Sequence, residues 1–332
     1  MKAAFIDDTG PVTNICVGSV DVPAVQPRQV LVRTGAVAVN PIDTYVRSGN
    51  VKLELPARYI VGCDIAGTVE SVGADVSGFS VGQRVWGSNQ GLFGRQGTFA
   101  EFAAIDQCWL YPTPDGVGDE DAAAGALTGI TAHLGLHLHG GLQQGEVVFV
   151  NGGTGGVGSA VVQLARAAGA TVVTTVGSEL KRQTALQLGA DHVINYREED
   201  AATAISNFVA EHRPINLWFE TLRSPSPDVT IPLLAKRGRY VLMAGRDARP
   251  EFPVGPFYVN DLRAIGFAMF NASAEEQRMA ADDLNSLMAD GQLRPLIGKR
   301  LSLDDAASAH QLQEENTLMG AGTLSGKIVL TP

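Results

Sequence analysis

The sequence predicts an α/β protein in which a doubly wound parallel sheet is inserted between two pieces of a β-rich domain. Three observations carry this. The first third holds short β-prone runs that Pro and Gly interrupt about every ten residues. Strand-like and helix-like segments then alternate as far as residue 244, which implies right-handed βαβ crossovers. The last part returns to mixed structure. The expected divisions are 1–122 for the first β-rich piece, 123–265 for the insert and 266–332 for the return. A chain of 332 residues fits roughly two domains of about 150 residues.

The elements follow in order. Val30–Thr34, Ala66–Gly73, Gly82–Trp86 and Gly97–Phe102 read as short strands. Asp119–Leu138 is rich in Ala and Leu and reads as helix. Val147–Val150 is fully apolar, the pattern of a strand buried on both faces. A glycine-rich loop follows, then a helix at Ala160–Ala168 that Gly169 stops. The alternation continues with strand Thr171–Val176, helix Leu180–Leu188, strand His192–Asn195, helix Ala201–His212, strand Leu217–Thr221, helix Val229–Lys236 and strand Tyr240–Ala244. The tail offers helices at Ala274–Asp290 and Asp304–Glu315 and a last strand, Lys327–Leu330.

Composition excludes several classes. The hydrophobic fraction is 45% and the charged fraction 18%, which are globular values rather than those of a disordered chain. No run approaches the roughly 18 apolar residues of a membrane span. The net charge of −10 repels nucleic-acid phosphates and anionic lipid, so neither is an expected partner. Two acids, Asp7 and Asp8, interrupt any leader-like apolar run, and the expectation is no cleaved signal and a cytoplasmic location. Cys16, Cys63 and Cys108 form no close pair and read as reduced thiols.

Asn151–Gly158 contains Gly153-x-Gly155-x-x-Gly158 between an apolar strand and a helix, the context a dinucleotide fingerprint requires. Gly153 is expected to make the tight turn, Gly155 to let backbone approach a pyrophosphate, and Gly158 to let the helix pack close to the strand. The helix N-terminus then offers unpaired N–H groups to the anion. An NAD site carries an acid at the end of the second strand. Here that position is Gly177-Ser178, followed by Glu179, Lys181 and Arg182. Ser178 can bond a 2′-phosphate and either cation can neutralise it, so NADPH is the expected cofactor. If the loop were shifted by one residue, Glu179 would bind a ribose instead. A solvated helix face is the other reading of the two cations.

Seven motifs in order resemble the medium-chain dehydrogenase/reductase superfamily, and within it the zinc-free NADPH:quinone oxidoreductase (zeta-crystallin-like) branch. They are Val39–Gly49, Gly62–Gly67, Val81–Val85, Gly97–Glu101, the glycine loop, Gly189–Tyr196 and Gly326–Leu330. The resemblance implies a GroES-like β-rich domain with an inserted Rossmann domain, a homodimer, and NADPH as hydride donor to quinones or conjugated carbonyls. It also implies cofactor residues: Ser178, Lys181 and Tyr196 at the 2′-phosphate, Asn40 and Thr131 near the nicotinamide, and Gly156, Val157, Thr221 and Gly245 along the backbone.

No metal is expected. The zinc-holding members use Cys, His and Cys, but here the first position falls in Val39-Asn40-Pro41 and the Gly-His-Glu turn is Gly62-Cys63-Asp64. Ala122–Gly129 supplies no third ligand, and a tetrahedral site needs at least three. Cys63 reads as a small buried residue. His133 and His137 share a helix face but have no acid beside them, so an ordinary histidine cluster accounts for them.

Hydride addition to an enone or quinone builds negative charge on the carbonyl oxygen, which requires a hydrogen-bond donor and then a proton. Tyr45, in the Asn-Pro-x-Asp-Thr-Tyr signature, is the first candidate, with packing in the β domain as its alternative. The Gly-x-Tyr-Pro tyrosine of many relatives is replaced by Val51, and nearby Tyr59 is the substitute. Asn40 can donate through its amide or bond the cofactor ribose, while Asp43 braces the loop. Arg246, after Gly245, would bind a carboxylate-bearing substrate if it faces the pocket; a solvated arginine is the other reading. The leading expectation is an NADPH-dependent quinone reductase. The alternatives are a C=C double-bond reductase of enones, enals or substituted acrylates, and a non-catalytic NADPH-binding structural protein.

Overall fold

The computed structural model describes all 332 residues. Two compact units result, one of residues 1–127 with 274–332 and one of residues 128–273. The elements in chain order are β1 (Lys2–Ile6), β2 (Cys16–Ser19), β3 (Gln29–Val39), α1 (Pro41–Ser48), β4 (Tyr59–Ile60), β5 (Asp64–Val72), β6 (Arg84–Gly87), β7 (Phe102–Asp106), β8 (Leu110–Pro112) and α2 (Asp119–His133). Next come β9 (Val147–Val150), α3 (Gly156–Ala167), β10 (Thr171–Val176), α4 (Glu179–Gln187), β11 (His192–Asn195), α5 (Ala201–Glu211), β12 (Ile215–Glu220), α6 (Pro227–Leu233), β13 (Leu234–Leu242), α7 (Val254–Val259) and β14 (Arg263–Gly266). The chain closes with α8 (Ala274–Ala289), β15 (Ile297–Ser302), α9 (Ala306–Thr317) and β16 (Lys327–Thr331).

In the first unit the long β3 organises a seven-stranded sheet, pairing β5, β7 and β16. The last strand of the chain therefore lies beside the residues that lead into α1: Ile328 is opposite Val39. Pro41 occupies the first turn of α1, where its missing N–H costs nothing. Gly49 ends that helix at φ +80°, a left-handed conformation that glycine adopts without strain. Trp86 is fully buried, packs on Tyr111 at 4.8 Å and donates its indole N–H to Asn285 on α8 at 2.8 Å.

The second unit is a six-stranded parallel sheet in the order β11-β10-β9-β12-β13-β14. Every residue of β9 is fully buried, as its unbroken apolar run required. Phe149 and Trp218 stack at 3.9 Å between β9 and β12. The strand order reverses between β9 and β12, and in open α/β sheets ligands bind at the carboxyl ends beside such a switch.

Some expected boundaries shift for local reasons. The helix from Asp119 stays α-helical to His133, and Leu134–His139 widens into a π turn. Gly135 lies against Phe219 and Phe267, and its carbonyl accepts from Gly140 N–H five residues on. The expected helix over Val229–Lys236 ends at Leu233 instead, because Leu234–Leu242 joins β12 as a strand. Gly97–Ala100 makes only one isolated bridge, Ala3 with Ala100, and the strand proper starts at Phe102. The sixth parallel strand β14 and the strands β1, β2 and β15 carry no signal strong enough to predict. No helix is long and apolar enough to cross a membrane.

Candidate active site

The cofactor side is built at the carboxyl ends of β9, β10 and β12. Gly152, not Gly153, makes the left-handed turn, at φ +77°. Gly153 is required for space, since a Cβ there would overlap the Thr174 side chain. Gly158 likewise has no room for a Cβ, but the obstruction is the Gly152 carbonyl of the loop rather than the strand. Gly155 is different. The nearest atom to a Cβ there is the Gly152 oxygen at 3.4 Å, so its surface is open. No side chain caps α3, and Gly156, Val157 and Gly158 supply the unpaired first-turn N–H groups that an anion needs. The buried Thr131 hydroxyl has no partner within the chain. These features fit a bound dinucleotide.

At the end of β10, Ser178 caps α4 by accepting the Lys181 N–H at 3.3 Å. Partial burial first, and then the charge of Arg197, pull the Lys181 ammonium down from its ordinary range. Arg197 therefore joins this basic group, although no motif pointed to it. The exposed Tyr196 lays its phenol over Gly177, where a Cβ would overlap it. Arg182 lies 3.8 Å from Glu179 on the helix surface. Thr221 donates its hydroxyl to the Asn151 carbonyl, and Gly245 turns at φ +86°. Arg246 is exposed.

The catalytic candidates separate. Asn40 is fully buried, and both ends of its amide are engaged. Its Nδ2 donates to Asp64 at 2.7 Å and its Oδ1 accepts from Lys327. Asn40 is thus a fixed member of a buried centre. Tyr59, expected as the substitute acid, is instead buried and donates to the Gly91 carbonyl at 2.7 Å. Burial pushes its phenol well above the usual range, so it is a poor acid. Tyr45 sits half-buried on α1. Asp43 accepts the Asn40 N–H at 2.7 Å, bracing the start of α1 as expected.

Lys327 completes this centre. It donates to the Val39 carbonyl at 2.7 Å and lies 3.7 Å from Asp64. Asp64 also accepts from Ser88 at 2.7 Å and from Leu127 N–H at 3.2 Å. Burial, then the nearby Asp43 and Asp64 charges, push the Cys63 thiol up. Lys327 lies against the Asp64 carboxylate within the same centre. No three His, Cys, Asp or Glu side chains converge as a metal site. His133 and His137 rings approach to 4.6 Å without a third ligand.

Comparison with known proteins agrees with the architecture. Residues 26–115 match the alcohol dehydrogenase GroES-like domain, and residues 156–285 match the zinc-binding dehydrogenase family. A Homo sapiens quinone oxidoreductase is 33% identical over 309 residues, covering 93% of this chain and 91% of that one. A Pseudomonas aeruginosa quinone oxidoreductase is 31% identical, covering 92% of each. A mycobacterial protein solved in complex with NADPH superimposes with a TM-score of 0.85 at 29% identity, with full coverage of both chains. An NAD-dependent alcohol dehydrogenase superimposes with a TM-score of 0.89 at 28% identity, again with full coverage. The chain belongs to the medium-chain dehydrogenase/reductase superfamily, among the quinone oxidoreductases, and is an NAD(P)-dependent oxidoreductase.

Proposed function

We propose that the protein transfers hydride from NADPH to quinones, without a metal. What supports this reading is the group at the end of β10, where Ser178 caps α4, Tyr196 lies over Gly177, and the Arg197 charge acts on Lys181. A 2′-phosphate is met there by cations and hydroxyls rather than by the acid an NAD site uses. NADPH, when bound, supplies the hydride. The first-turn amides of α3 hold the pyrophosphate, and Thr131, Thr221 and Gly245 line the remainder. Tyr45 is the remaining side-chain candidate for stabilising charge on the acceptor oxygen, because Asn40 and Tyr59 are committed within the chain. The reduced quinone takes its proton readily from water.

The same reading includes a homodimer. β14 is an edge strand, and α7, which precedes it in the chain, exposes Val254, Tyr258 and Val259, each more than 60% accessible. Apolar exposure beside an unpaired sheet edge favours pairing with a second copy.

The test is steady-state oxidation of NADPH and NADH by chelator-treated protein. Simple quinones, neutral enones and 2-substituted acrylates serve as acceptors. Quinone turnover that favours NADPH is expected. Turnover confined to enones or acrylates moves the reaction to double-bond reduction. Loss of activity on chelation, restored by zinc, would overturn the metal-free reading.

A further inference from the structure

The glycine loop is not held by its own backbone alone. A directional chain of hydrogen bonds crosses the ends of three adjacent strands beneath it. Glu220, the last residue of β12, is buried, and the groups hydrogen-bonded to its carboxylate are donors. Its Oε2 accepts from Asn151 Nδ2 at 3.2 Å and from Trp218 Nε1 at 3.2 Å, and its Oε1 accepts from Leu222 N–H at 2.8 Å. A carboxylate only accepts, so it fixes the Asn151 amide with its NH₂ toward Glu220. The Asn151 oxygen is thereby turned toward β10, where it accepts from the Thr175 hydroxyl at 2.7 Å. The Thr175 oxygen, having donated its one proton, accepts the Gly152 N–H at 3.0 Å. The chain ends on the residue that makes the left-handed turn of the loop.

We infer that Glu220 is a positioning residue for the dinucleotide, acting through Asn151 and Thr175 to set the Gly152 turn and hence the amides that meet the pyrophosphate. The inference rests on the reading of this loop as the NADPH site. Its physical basis is the sign of each bond. No neutral side chain at 220 satisfies three donors that approach both of its oxygens. A glutamine must turn its NH₂ toward either Leu222 N–H or the Asn151 and Trp218 pair, and a donor then faces a donor. Freed from the carboxylate, the Asn151 amide has no reason to keep its oxygen on Thr175. The Gly152 N–H then loses a partner of fixed direction. Charge-assisted bonds are the stronger kind, so the anchor of the chain is its charged end.

The experiment is titration of NADPH into the full protein, followed by nicotinamide fluorescence, with KM for the acceptor measured in parallel. Glu220→Gln is expected to weaken NADPH about tenfold and to leave the acceptor KM within about twofold. Thr175→Val, which keeps shape and removes the hydroxyl, is expected to do the same, and Thr175→Ser to restore wild-type affinity. The double variant Glu220→Gln/Thr175→Val is expected to bind no more weakly than Glu220→Gln, because both break one chain. Wild-type NADPH affinity in a folded Glu220→Gln or Thr175→Val protein overturns the inference. So does a Thr175→Ser variant as weak as Thr175→Val, or an equal loss at acceptor and cofactor. A wild-type protein that fails to bind NADPH overturns instead the reading of the loop as its site.

Discussion

Lys327 lies 3.7 Å from Asp64, and both side chains are buried. One begins the last strand of the chain and the other begins β5, and both meet at Asn40. Burial pushes the Asp64 carboxyl up and the Lys327 ammonium down, and each charge opposes the shift of the other. Removing one partner of such a pair leaves a buried charge alone. Lys327→Met is therefore expected to cost about 3–5 kcal/mol in urea unfolding. The double variant Lys327→Met/Asp64→Asn is expected to recover most of that loss. A single variant as stable as wild type would show that water reaches Asp64.

The pH dependence of stability divides between two buried groups of opposite sense. Burial is the largest cause of both shifts. Asp43 is pushed from 3.8 up to about 7, with the Asp64 charge also raising it. The folded state thus holds its proton where the unfolded state has lost it, and stability falls as pH rises from about 4 to about 7. His310 is pushed from 6.5 down to about 3, helped by Arg47. Its contribution is present above pH 6.5 and is lost as pH falls toward 3. Asp43→Asn is expected to make stability rise more steeply, or fall less, between pH 4 and 7, and His310→Leu to flatten the acid side. Urea midpoints across pH check both, and parallel profiles for all three proteins would refute the assignment.

The glycine loop separates binding from folding. Gly155→Ala meets nothing closer than 3.4 Å, so the melting temperature is expected to hold while NADPH binding weakens as the methyl meets the phosphates. Gly158→Ala drives a methyl into the Gly152 carbonyl, and both stability and binding should drop, the former by about 1–3 kcal/mol. A Gly155→Ala protein with full NADPH affinity would place the pyrophosphate elsewhere.

Cofactor preference is expected to follow Lys181 and Arg197. Replacing either by Ala should lower the ratio of kcat/KM for NADPH over NADH by roughly tenfold. The loss for NADPH should shrink at high salt. An unchanged ratio in both variants would remove the 2′-phosphate from this corner.

Tyr258→Asp puts a charge on the apolar face of α7, where Tyr258 is 68% exposed. If that face joins two copies, light scattering should show the particle mass halve while the melting curve of the fold persists. A wild-type protein that is already a single chain would dismiss the interface.

The alternation of strands and helices, the position of the glycine loop and the basic end of β10 were legible because each is local. A βα turn writes its needs within eight residues, and β9 announces burial on both faces in four. What the linear order hides is pairing at a distance. Nothing near Asn40 indicates that Lys327 will cap its amide, because that contact exists only once β16 pairs with β3. Tyr59 is an available acid in the linear order and a committed donor in the fold, where its hydroxyl meets the Gly91 carbonyl. Arg197 sits outside any pattern, yet the turn after β11 brings it to Lys181. Glu220 and Thr175 stand on β12 and β10, Asn151 follows β9 between them, and only the sheet order makes them neighbours. The sequence by itself determined the kinds of element and the chemistry of each turn, through local propensity and side-chain pattern. The tertiary structure alone decided which polar groups are consumed by one another, because hydrogen bonds and buried charges are settled between segments that meet only in the folded chain.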